Sequence, residues 1–158
     1  MTLLTMRRPG SVAVAVFAML ATMTACSGGA ASPSAAASAG GGDQGTVVNV
    51  SLKEFSITFD RTDIPAGKVT FNVTNHGTME HEFVVFKTDL AADSLPIDSD
   101  EPEVDEDDPA LTSMGEVEDI EPGETKSFSA TLDAAKYVGI CNVPGHYASG
   151  MYIGFDAG

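Results

Sequence analysis

Cys141-Asn142-Val143-Pro144-Gly145-His146-Tyr147-Ala148-Ser149-Gly150-Met151 spaces a thiol, an imidazole and a thioether five residues apart, twice over, around a Pro-Gly turn. Singly, each has an ordinary explanation. A free cysteine is usually a small core hydrophobe, a methionine opening a strand usually fills a core, and a histidine beside a turn sits at the surface. Together, in one loop between two strands, they are the donor set that copper prefers, with the thioether weak and axial. The flanks KYVGIC (136–141) and MYIGFD (151–156) read as strands. Cys141 then sits where one strand leaves the sheet, His146 at the loop tip and Met151 where the next strand returns. All three can face one spot.

A trigonal site of two imidazoles and a thiolate needs a histidine from elsewhere. The chain has three in all, so the choice is His76 or His81. His81 opens HEFVVFKT (81–88), whose alternate residues Phe83 and Val85 face a core, so its ring leans inward at the strand end. His76 lies in an Asn-His-Gly turn, open to solvent. His81 is the preferred ligand.

The surrounding sequence is a succession of short strands. TVVNVSL (46–52) and FSITF (55–59) are rich in Val, Ile, Thr and Phe. In IPAGKVTFNVTN (64–75), Val69, Phe71 and Val73 alternate with Thr70, Asn72 and Thr74, the period of a half-buried strand. HEFVVFKT is more apolar and reads as a central strand. Glu121-Pro122-Gly123-Glu124 suits a type II turn, and its flanks (116–120 and 125–132) read as a paired hairpin. Seven or eight strands without a convincing helix predict an all-β protein, an antiparallel Greek-key β-sandwich.

Over residues 46–158 the chain resembles the cupredoxins, the small blue copper proteins. Two segments carry the resemblance: NHGTMEHEFVVF (75–86), with a glycine upstream of the histidine, and CNVPGHYASGM (141–151). The Cys-x4-His-x4-Met spacing is most similar to rusticyanin, sulfocyanin and auracyanin. The resemblance implies one copper, with His81, Cys141 and His146 as equatorial ligands and Met151 as the axial one. It also implies that His146 is an electron port framed by Val143, Pro144, Tyr147 and Ala148. Glu82 and Asn142 depart from the family, which often has Asn or Ser after the first histidine, bonded toward the residue after the cysteine. Met79 and Met114 are extra thioethers for which structural or loop roles are expected.

Between strands, residues 89–121 hold 14 acidic side chains, no basic one and three prolines. This acidic insertion reads as a solvated, partly disordered excursion. The other readings are a docking surface for a basic partner and a calcium site, although its spacing does not match an EF-hand loop.

At the other end, Arg7 and Arg8 precede an uncharged, mostly apolar run from Ser11 to Ala25, too short for a membrane span of roughly 20 residues. That is the pattern of an export signal over residues 1–25. Cys26 follows small residues and resembles the lipidated cysteine of bacterial lipoproteins. A plain thiol and a disulfide to Cys141 are the alternatives. Residues 26–45 are dominated by Gly, Ala and Ser, the composition of a flexible tether. Cleavage before Cys26 leaves 6 basic and 23 acidic side chains, a net charge of −17, which argues against nucleic acid.

The expectation is a monomeric, membrane-anchored blue copper protein at the outer face of the cell membrane, passing single electrons to a redox partner with a basic docking surface. The alternative is an extracytoplasmic copper carrier or storage protein delivering metal to an oxidase. An enzyme is not expected. Copper oxidases and nitrite reductases need further histidines, and a catalytic Cys–His pair would leave His81 and Met151 without a role.

Overall fold

The computed structural model describes residues 45–158, so the expected export signal, Cys26 and most of the tether lie outside the described residues. Eight strands follow one another: β1 (Thr46–Lys53), β2 (Ser56–Phe59), β3 (Gly67–Asn75), β4 (His81–Lys87), β5 (Thr112–Ile120), β6 (Thr125–Leu132), β7 (Ala135–Ile140) and β8 (Tyr152–Ala157). They form two four-stranded sheets, ordered β2-β1-β3-β6 and β5-β4-β7-β8. The β-sandwich read from the sequence is the observed architecture.

Period-two burial explains why these segments stack as two layers. Val48, Val50 and Leu52 of β1, Val69, Phe71 and Val73 of β3, and Phe83 and Val85 of β4 all point into the shared core. Phe59, Phe71, Phe83, Phe128 and Phe155 form a contiguous aromatic cluster there, with ring centroids 5.2–6.3 Å apart. Each fully buried phenylalanine contributes roughly 2–3 kcal/mol.

Two expectations about pairing are corrected. The antiparallel rule fails at β1 and β3, which pair in parallel from Thr46↔Val69 to Leu52↔Asn75. After β2 hairpins back on β1, the chain crosses to the other side of β1. Ile64 bridges Ala157 on the way, at the end of β8. The flanks of Glu121-Pro122-Gly123-Glu124 do not pair either. The turn forms, with Glu124 N–H donating to the Glu121 carbonyl at 2.9 Å. But β5 pairs with β4 in one sheet and β6 with β3 in the other. The turn is a corner between layers, because both neighbouring strands have an apolar face to cover.

The acidic insertion is also different from its reading. It ends at Leu111, since Thr112 begins β5. Nor is it a solvated excursion throughout. Three of its apolar residues, Leu95, Val104 and Leu111, are buried against Val84, Phe86, Val138, Ile140 and Tyr147 on the outer face of the β5-β4-β7-β8 sheet, while Leu90 and Ile97 stay exposed. That second core explains why β4 is apolar on both faces. The aspartates shape the loop: Asp98 accepts the Asp100 and Glu101 N–H groups, Asp105 that of Asp107, and Asp108 that of Ala110. Aspartates that close turns on their own backbone give a long loop local structure without helix or sheet.

Candidate metal centre

Strand order places the donors. β4 lies beside β7, and β7 beside β8, with Val84↔Ile140 and Ile140↔Tyr152 in register. His81 at the start of β4, Cys141 just past β7 and Met151 just before β8 therefore meet at one end of one sheet. All three are fully buried, and His146 is 4% exposed. His81 shares the inward face with Phe83 and Val85, as expected from the alternation.

The loop from 141 to 151 folds tightly on itself. Val143-Pro144-Gly145-His146 closes a turn, His146 N–H donating to the Val143 carbonyl at 2.9 Å. Gly145 has φ +81°, a conformation that glycine adopts without steric cost. The 3₁₀ turn Tyr147–Ser149 follows. Met151 N–H then reaches the His146 carbonyl at 3.1 Å, and Cys141 N–H the Met151 carbonyl at 3.0 Å. Ten residues of chain thus return Met151 to the side of Cys141, within the same buried cluster.

Three donor atoms converge. His81 Nδ1 lies 3.2 Å from His146 Nδ1, and Cys141 Sγ lies 3.7 and 3.3 Å from these two nitrogens. Bonds of about 2.0–2.3 Å to a shared ion at wide angles give edges of this size. Two imidazoles and a thiol, all buried, fit copper by chemistry as well as by spacing.

Electrostatics prepare these groups for a cation. Burial lowers the affinity of His81 and His146 for protons, so both rings are held below the usual histidine range. Burial pushes the Cys141 thiol up to about 11, only partly offset by the Glu82 and Val143 N–H groups. A bound cation reverses that penalty and takes the thiolate. Glu82 is pushed up to about 7, first by burial and then by Glu106, with the Asn142 backbone N–H pulling the other way.

Several residues hold the site in place through bonds that the sequence reading did not assign to them. Asn75 is fully buried; its side chain donates to the Met79 and Ile120 carbonyls at 2.7 and 2.8 Å and accepts Gly77 N–H at 2.8 Å. Asn142 joins the site to the acidic loop, accepting Val104 N–H at 2.7 Å and donating to the Val104 carbonyl and Glu106 at 3.1 and 2.9 Å. The Tyr147 hydroxyl accepts Leu95 N–H and donates to the Ala92 carbonyl, both at 2.9 Å. Gly145 N–H donates to the Pro102 carbonyl. A buried Asn in an otherwise polar run gives no periodic signal, and the partner carbonyls are invisible in sequence.

His76 stands apart from the cluster and is exposed, as expected. Met79 is exposed, and Met114 packs against the main core. His146, expected as the electron port, is 4% exposed; Phe55 packs edge-on against its ring, centroids 5.1 Å apart, and is itself 40% exposed. Tyr147 turns inward to the acidic loop and does not frame the site from outside.

No protein-family model and no curated protein matches the sequence. Solved structures do. Reduced auracyanin from Roseiflexus castenholzii is 21% identical, with a TM-score of 0.53 over 74% of this chain and 99% of that one. Auracyanin A, a blue copper protein from Chloroflexus aurantiacus, is 23% identical, with a TM-score of 0.50 over 72% of this chain and 98% of that one. Rusticyanin from Thiobacillus ferrooxidans is 20% identical, with a TM-score of 0.50 over 72% and 79%. Two sheets in this order, with the thiol and both imidazoles gathered at one end, give this chain the cupredoxin fold.

Proposed function

We propose that the protein carries single electrons through one copper held by His81, Cys141 and His146, with Met151 as the axial ligand. The observation that carries this reading is the convergence of two Nδ1 atoms and one Sγ in a buried cluster. Copper there supplies a one-electron couple between Cu(I) and Cu(II). Cys141 gives up its proton on binding, and the Glu82 N–H, 3.5 Å from Sγ, then faces a thiolate. His81 and His146 enter as neutral imidazoles, already favoured by burial.

Burial also favours electron transfer over copper carriage. A carrier hands over its metal through an open site, whereas these donors are enclosed and His146 is covered by Phe55. The acidic loop and the net negative charge support a partner with a basic surface, steered over long range. Arg7, Arg8, the apolar run 11–25 and Cys26 support export and a lipid anchor at the outer face of the membrane.

Repeated reduction and reoxidation of the copper-loaded protein, in the presence of a weak copper chelator, tests the choice. An electron carrier keeps its metal and its colour through the cycles. Transfer of copper to the chelator in the reduced state would favour the carrier.

A further inference from the structure

We propose that Glu54 is the anionic partner of the His81 imidazole and biases the bound metal toward its more oxidised state, a role that rests on the copper reading above. Glu54 directly follows β1. Its Oε1 accepts the N–H groups of Thr78 and Met79, in the loop that leads into His81. The same oxygen lies 3.7 Å from His81 Nε2. Gly77 leaves room for this approach, since a Cβ there would collide with the Glu54 carboxylate and come within 3.0 Å of His81 Nε2.

The His81 ring explains why the carboxylate matters. Its Nδ1 faces Cys141 and His146. With Nδ1 given to a metal, the neutral ring carries its proton on Nε2. That atom is buried and has no hydrogen-bond partner among the described residues. A buried N–H without an acceptor is costly, and the Glu54 carboxylate stands 3.7 Å away as an acceptor. Closing the gap to about 2.9 Å takes less than about 1 Å of movement. Carboxylate–imidazole–metal relays of this kind fix the ring and make the ligand a better electron donor. A fixed negative charge behind the imidazole stabilises the extra positive charge of the oxidised metal.

A merely structural Glu54 would only accept the Thr78 and Met79 N–H groups. Glutamine keeps an oxygen that can accept them but carries no charge, so Glu54→Gln separates the two roles. Wild type and variant are loaded with Cu(II), and their visible spectra and midpoint potentials are compared. The expected result is an intense thiolate-to-copper band in both proteins and a higher midpoint potential in the variant. Bands in both with equal potentials overturn the proposal alone. A folded variant that takes up no copper makes Glu54 a brace, and overturns it too. No band in either protein overturns the copper reading and the proposal with it. If the variant does not fold, the Cu(I) wild type decides by NMR. A low-field, slowly exchanging His81 Nε2–H supports the partnership. Exchange as fast as that of a free imidazole overturns it.

Discussion

The two segments that bring donors together are held by different means. Residues 141–151 close on themselves through backbone bonds among Cys141, His146 and Met151, and the acidic loop then straps them from outside through Asn142, Gly145 and Tyr147. Residues 75–81 have no such closed backbone circuit. Besides backbone bonds of Asn75 and His76 to Glu124, Gly123 and Leu52, they are held by two side chains, Asn75 from within and Glu54 from β1's end. A local motif carries its own geometry, while a single histidine has to be placed by residues distant in sequence. The contrast can be tested by removing each kind of support.

Asn75→Ala should have the largest effect. It leaves the buried Ile120 carbonyl and the Gly77 N–H without their partner and should cost about 3 kcal/mol in denaturant unfolding. A loss of less than about 1 kcal/mol would mean that the 75–81 segment holds its shape without the clamp.

Asn142→Ala should come next, at about 2 kcal/mol, because buried Val104 loses partners for both its N–H and its carbonyl. Hydrogen exchange at Val104 should speed up along with the loop around it. Tyr147→Phe removes two bonds to the same loop while keeping the ring and should cost about 1 kcal/mol. If neither variant disturbs the loop, it is the solvated excursion that its composition suggested.

A change in pH dependence tests the same end of the molecule. Glu82 is raised from 4.5 to about 7 in the folded protein. Its contribution to stability is therefore present below pH 4.5 and lost as pH rises through about 7. Glu82→Gln should raise the melting temperature of the metal-free protein at pH 8 relative to wild type, with little difference at pH 4. A variant whose melting temperature differs equally at both pH values would show that Glu82 does not carry the buried charge.

How much was legible follows from the same contrast. Alternating apolar residues in β1, β3 and β4 and the spacing of Cys141, His146 and Met151 announce a sandwich with donors at one end, because both signals are local. His81 was legible because its strand starts at the ring and alternates inward. The parallel β1–β3 pair was not, since nothing in residues 60–66 says on which side of β1 the chain returns. Nor was the corner at Glu121–Glu124, because a type II turn joins strands of one sheet or of two with the same residues. The acidic loop misled through composition. Three buried side chains, Leu95, Val104 and Leu111, suffice to anchor it, and they are too widely spaced to register as a pattern. Asn75 and Glu54 act through partners far along the chain or on the backbone, which no spacing reveals.

The central claim is that Cys141, His81 and His146 hold one copper, and Cu(II) titration of the metal-free protein tests it most directly. The account predicts an intense visible band that saturates at about one equivalent, with proton release at neutral pH because the Cys141 thiol, otherwise titrating at about 11, becomes a thiolate. The band should be absent in Cys141→Ser and in His81→Ala, and retained in His76→Ala. A colourless wild-type protein, or a band that survives His81→Ala but not His76→Ala, would contradict it.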